Sequence, residues 1–163
     1  FPYNLPGSIM GETQPIAVPF TDDLVLVDAE TRTHVDMLRS AAVEARATPG
    51  TPMLDLSGGG PGTVLFLGGR SPLYPWMLRH AESDGYLVDA AWRTLSTDER
   101  TAAWIIGPVL EPFFETAVAQ QFIRWQECYR LIATSPTILP NTEVPAEIWV
   151  PDQGCLVAKA ELN

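Results

Sequence analysis

The sequence predicts an α/β fold: a three-layer sandwich on a mainly parallel sheet, with an antiparallel hairpin at its C-terminal edge. Three observations carry this. Short β-branched or apolar runs alternate with segments of helical periodicity, the pattern of a sheet covered on both faces. A glycine-rich stretch, Ser57 to Gly62, separates an apolar run from a short helical one, as a strand-turn-helix unit requires. Two apolar runs near the end flank Pro151-Asp152-Gln153-Gly154, which has turn chemistry.

Residues 1–21 carry Pro2, Pro6, Pro15 and Pro19 with Gly7 and Gly11. Proline lacks an amide donor and disfavours helix in the residue before it, so this segment is expected to be extended and to wrap the surface. Leu24 to Val27 (Leu-Val-Leu-Val) reads as a strand, with a helix start as the alternative. Thr33 opens a helix, with Asp36 completing an imperfect capping box. Val35, Leu38, Ala42 and Ala45 share one face, and Pro49-Gly50 ends the helix. Met53 to Leu56 is the next strand. Pro61 suits the first position of a short helix, where its missing amide is not needed. Val64, Leu65 and Leu67 pack that helix on the sheet, and Gly68-Gly69 stops it.

Ser71 to Trp76 holds two prolines and two aromatics and reads as a fixed loop. Ser83 or Asp84 caps a further helix carrying Leu87, Ala91 and Leu95. Ser96 and Glu99 form a capping box for a short helical turn. Ala103 to Ile106 is a buried strand ended by Gly107-Pro108. Phe114, Val118, Phe122, Trp125 and Tyr129 recur at helical spacing, so residues 112–127 are predicted helical. Arg130 to Ala133 is a strand. Ile148 to Val150 and Leu156 to Ala160 are the closing hairpin. No repeat, low-complexity stretch or long linker divides the 163 residues, which suit a single domain.

Hydrophobic residues make up 46% and charged ones 18%, as in a folded protein. The net charge of −10 disfavours nucleic acid and anionic membrane surfaces as partners. No apolar run is long enough to span a bilayer, and no signal peptide is visible. The chain opens on Phe1, so a processed protein or a piece of a longer one is expected. Cys128 and Cys155 have no metal-ligand spacing; they are two buried thiols in a reducing compartment or a bridge in an oxidising one.

The glycine turn is the first candidate site. A strand leading through glycines to a helix start presents free amides and the positive end of a dipole, which suits phosphate or carboxylate. Neither a P-loop nor the Gly-x-Gly-x-x-Gly dinucleotide pattern is met: no lysine follows Gly62, and Gly58 and Gly60 are followed by Thr63. A tight turn that needs small residues explains the glycines equally well. His34 and His80 are isolated and read as surface or capping residues, and no histidine or cysteine pair supports a metal. Scattered acids single out no acid-base pair. Trp76, in the proline-rich loop, is the tryptophan best placed to stack on a sugar.

Leu54 to Thr63 resembles the first motif of S-adenosylmethionine-dependent methyltransferases, Asp-Leu-Gly-x-Gly-x-Gly. Here Asp55-Leu56-Ser57-Gly58-Gly59-Gly60-Pro61-Gly62 holds one residue too many. The acid expected about twenty residues later is missing from Tyr74 to Met77, and Asp89, the nearest later one, falls in a predicted helix.

A second resemblance covers residues 22–160. It rests on Thr51 to Gly62, Leu-Gly-Gly-Arg-Ser-Pro (67–72), Pro-Trp-Met-Leu (75–78), Ala-Ala-Trp-Ile-Ile (102–106) and the two cysteines. Together these resemble the soluble C-terminal domain that follows the membrane helices of bacterial polytopic proteins similar to lipid-phosphate-sugar-dependent (GT-C class) glycosyltransferases. That resemblance implies an extracytoplasmic domain, a Cys128–Cys155 bridge, and the transmembrane portion of a parent protein as partner. It also implies that catalysis belongs to the membrane part, so no catalytic residue, cofactor or metal is expected here. Glycan or lipid-linked sugar is the expected ligand, with Asp55, Gly58, Gly59, Gly60, Gly62, Arg70 and Trp76 as its candidate contacts.

Overall fold

The computed structural model describes residues 14–18, 22–57, 62–72, 81–109, 113–135 and 145–161. It is a mixed α/β structure. Its strands are β1 (Gln14–Ala17), β2 (Leu24–Val27), β3 (Met53–Asp55), β4 (Trp104–Gly107), β5 (Tyr129–Ser135) and β6 (Ala146–Pro151). Its helices are α1 (Ala29–Glu44), α2 (Gly62–Phe66), α3 (Ala81–Thr94), α4 (Thr97–Ala102), α5 (Ala117–Arg124) and α6 (Gln153–Glu161).

The central sheet has the order β3-β4-β6-β5. Only β3 and β4 run parallel; β4–β6 and β6–β5 are antiparallel. The sheet is therefore mixed, which corrects the mainly parallel expectation. The antiparallel edge exists, but β5 and β6 form it, and Leu156 to Ala160 lies in α6. Asp152 explains the helix: its side chain accepts from the Cys155 amide at 3.0 Å and its carbonyl from the Leu156 amide at 3.0 Å. The turn chemistry after Pro151 thus starts a helix instead of reversing a strand. Leu24 to Val27 is a strand as read, but it pairs with β1 in a separate two-stranded ribbon.

Side chains alternate along the strands between two buried clusters, as the period of two demands. Leu54, Leu56 and Ile105 pack with Val88 and Trp92 of α3, Val118 and Phe122 of α5, and Leu156 of α6. Met53, Trp104, Ile106 and Ile148 pack with Leu38 and Ala42 of α1 and Val64 of α2. Fully burying one such side chain contributes about 1.5–3 kcal/mol. Leu65 departs from its expected inward position and is 49% exposed. A five-residue helix offers one narrow face, and Val64 fills it, with Leu67 buried just beyond the helix end.

Helix ends depart from the sequence reading where side chains of nearby residues compete as caps. Helix α1 starts at Ala29, not Thr33: Asp28 accepts from the Thr31 amide at 2.8 Å and the Thr31 hydroxyl at 2.7 Å. Asp36 instead pairs with Arg32 at 2.6 Å on the exposed face. Helix α3 begins at Ala81, before Ser83 and Asp84, so neither is its cap. The predicted helix over 112–127 shrinks to α5. Thr116 is its N-cap and accepts from the Ala119 amide at 3.3 Å. Phe114 lies outside it and is 43% exposed. Tyr129 begins β5, and its ring meets Phe122 edge-on at 5.0 Å. The helical spacing of the aromatics therefore continues as a contact between two elements, not along one helix. The Ser96–Glu99 capping box on α4 is present, with both reciprocal hydrogen bonds.

Arginines tie the layers. Arg100 donates to the Trp92 and Arg93 carbonyls at 3.0 and 3.1 Å, satisfying the last turn of α3. Arg39 donates to the Phe66 carbonyl at 3.2 Å and to the Ala17 carbonyl, joining α1, α2 and the ribbon.

Cys128 and Cys155 are joined in a disulfide, with Cα atoms 5.4 Å apart. The bond ties the turn before β5 to α6. Helix α6 buries only Leu156 in the core, so the bond, the Lys159–Glu127 ion pair at 2.9 Å and the Asp152 amide on the Cys128 carbonyl at 2.7 Å add much of its attachment.

Candidate functional site

Strand β3 delivers Asp55 to the C-terminal ends of the parallel pair, where α/β sheets open toward ligands. Leu54 and Leu56 belong to the cluster under α3 and α5, so Asp55 projects to the opposite, α1–α2 side. Its Oδ1 accepts from the Ser57 amide at 2.9 Å and the Ser57 hydroxyl at 2.6 Å. This local turn orients the carboxylate and starts the chain into the glycines. Gly58, Gly59, Gly60 and Trp76 lie outside the described residues, as does His80. Gly62 opens α2, and among the described residues a side chain there would meet the Phe66 ring at 3.7 Å. Crowding therefore does not demand glycine at that position.

Arg70 does not join this group. It bridges to Pro52, donates its amide to the Thr51 carbonyl at 2.8 Å, and accepts from the Met53 amide at 3.0 Å. These contacts place it at the opposite end of β3, about 10 Å from Asp55 at strand rise. Its guanidinium meets Glu99 at 2.5 Å on α4. Hydrogen bonds from Ser96, with the Arg70 charge assisting, hold the Glu99 carboxyl below its usual range. Gly68 and Gly69 allow the chain to return here. Gly68 sits at φ +73°, and a Cβ on Gly69 would stand 2.3 Å from the Met53 sulfur.

The structure adds a pair to which the sequence assigns no role. Glu147 and Trp149 lie two apart on β6, on one face, opposite Gly107 and Ile105 of β4. The Trp149 indole donates to Glu147 Oε2 at 2.9 Å, and its ring packs edge-on against Phe122 at 5.4 Å. A Cβ on Gly107 would lie 3.5 Å from Glu147 Oε2, so the bare glycine leaves room on that side of the carboxylate. The alternation Glu147-Ile148-Trp149 was the available signal. Ile148 belongs with Met53, so Glu147 projects to the α3–α5 side. Asp55 and Glu147 therefore stand on opposite faces of the sheet and do not form an acid-base pair.

Asp89 accepts from the Ala117 amide at 2.7 Å. It is a cap for the start of α5, not a ribose ligand. His34 lies on α1, and burial pushes its pKa below the ordinary 6.5. The Tyr129 hydroxyl is buried, and burial pushes its pKa up to about 12 against the smaller, opposite effect of the neighbouring Gln121 side chain. Among the described residues, no group of three histidine, cysteine or acidic side chains is placed to hold a metal. No described helix is long and apolar enough to cross a membrane. Comparison with protein families, curated proteins and solved structures gives no match.

Proposed function

We propose that this chain is a non-catalytic extracytoplasmic domain of a membrane-embedded, glycosyltransferase-like protein. Its role is to bind a glycan, a lipid-linked sugar or a neighbouring protein, and the transmembrane portion of the parent protein is its constant partner. The body is a three-layer sandwich in this reading, with α1 and α2 on one face and α3, α5 and α6 on the other; the two alternating core clusters support it.

The observation that carries the proposal is the Cys128–Cys155 disulfide. Structural disulfides persist in oxidising compartments and are rare in the cytosol. The polar groups at the C-terminal ends of β3 and β4 fit binding better than catalysis. Asp55 is held by Ser57, Glu147 is held by Trp149, and the sheet separates the two carboxylates. Each can accept hydrogen bonds from sugar hydroxyls. The methyltransferase alternative has less support: β4, the parallel neighbour of β3, ends in Gly107-Pro108 with no acid for a ribose.

Thiol titration of unreduced, unfolded protein, made with and without export from the cytosol, tests the compartment. The exported form is expected to show no free thiol and a sharper unfolding transition than the cytosolic form. Two free thiols in exported protein overturn the reading. Calorimetry with S-adenosylmethionine should give no heat of binding; a saturable signal would favour the methyltransferase instead.

A further inference from the structure

Among the described residues, the ribbon has one closed edge and one open edge. The Val18 amide bonds the Asp23 carbonyl at 2.9 Å, in register with the β1–β2 ladder. Bonded pairs alternate in an antiparallel ladder, so Ile16 with Val25 and Gln14 with Val27 exchange the cross-strand bonds. The polar groups of Pro15 and Ala17 then point outward on β1, where Arg32 and Arg39 meet both carbonyls and proline offers no amide. That edge is blocked. On β2, the outward amides and carbonyls belong to Leu24 and Leu26, and no described strand lies against them. The Leu24 and Leu26 side chains are 65% and 56% exposed, and Val25 is 41% exposed.

We propose that β2 is a docking edge that accepts an extended segment of another protein by strand addition. The segment alternates apolar side chains and carries lysine or arginine at its ends. Main-chain bonds to Leu24 and Leu26 supply the affinity, and the leucines supply apolar contact. Charge decides the occupant. Asp22 and Asp23 precede β2 and Asp28 follows it, in a chain of net charge −10. A second copy paired antiparallel on this edge brings Asp22 and Asp23 of one chain toward Asp28 of the other, which is repulsive. A basic-ended segment meets opposite charge at both ends. Soluble proteins blunt such edges with lysine, proline or a cover; β1 is blunted in this way and, among the described residues, β2 is not. The inference is independent of the membrane-protein reading above.

The probes are a fluorescein-labelled peptide, Lys-Ile-Thr-Val-Thr-Ile-Lys, and its counterpart with glutamate at both ends, titrated onto the full chain by anisotropy. The lysine peptide is expected to bind saturably and the glutamate peptide at least tenfold more weakly. Leu26→Pro removes an outward amide without touching the β1 ladder, and should weaken binding at least tenfold. The double variant Leu24→Thr/Leu26→Thr keeps strand propensity and alters only exposed side chains; it should also weaken binding if Leu26→Pro fails to fold. Equal binding of both peptides, no binding of the lysine peptide at millimolar concentration, or binding unchanged in the double variant overturns the proposal. So does a concentration-dependent dimer in sedimentation that the double variant abolishes, which would make a second copy the occupant.

Discussion

Reduction of the Cys128–Cys155 bond should separate the stability of α6 from that of the sheet. The two cysteines are 27 positions apart. In the chain-entropy account, closing a loop of that length raises the unfolded state by about 3.5 kcal/mol. With a urea slope of about 2 kcal/mol/M, the midpoint should fall by about 1.7 M on reduction. The loss should also be local at first, because α6 buries only Leu156 and otherwise relies on one exposed ion pair and a few backbone bonds. The assay is urea unfolding followed by tryptophan fluorescence, with and without reductant, beside hydrogen exchange of residues 153–161. Protection in α6 should drop on reduction while Leu54, Ile105 and Ile148 amides stay protected. A midpoint shift below about 0.5 M, or α6 protection equal in both states, would refute the reasoning.

Two further predictions come from single side chains. Tyr129→Phe removes a buried hydroxyl whose neighbour is the Gln121 side chain and keeps the ring contact with Phe122, so it should change stability by no more than about 1 kcal/mol in denaturant unfolding; a larger loss would mean the hydroxyl anchors this part of the fold. Burial holds the His34 pKa below 6.5 in the folded state, so the unfolded chain binds its proton first as pH falls. That stability is present above about pH 6.5 and is lost on acidification through the depressed folded value. Unfolding midpoints from pH 7.5 to 5.5 should decline more steeply than in His34→Gln; parallel profiles would remove His34 as the cause.

Features written in a few adjacent residues were legible. The Ser96–Glu99 capping box needs only four residues to close. Strands β3 and β4 are apolar runs buried on both faces, so their composition marks them wherever they pair. Asp55 was legible as the end of β3, but its separation from Arg70 was not. Arg70 reaches the other end of the strand because Gly68 and Gly69 turn the chain back beneath it. Glu147 was not legible because its place beside Gly107 and Trp149 depends on how β4 and β6 pair across the sheet.

By itself, the amino-acid sequence determined the α/β alternation and the apolar face of α1, and its acidic character disfavours nucleic acid as a partner. These depend on period and composition, which each segment carries locally. Tertiary structure alone decided that β6 runs antiparallel between β4 and β5, that Leu156 sits on a helix, that Cys128 meets Cys155, and that β2 stands outside the main sheet. Those outcomes turn on which distant surfaces meet. A four-residue apolar run has the same pattern in a core sheet as on an open ribbon, and only its neighbours distinguish the two.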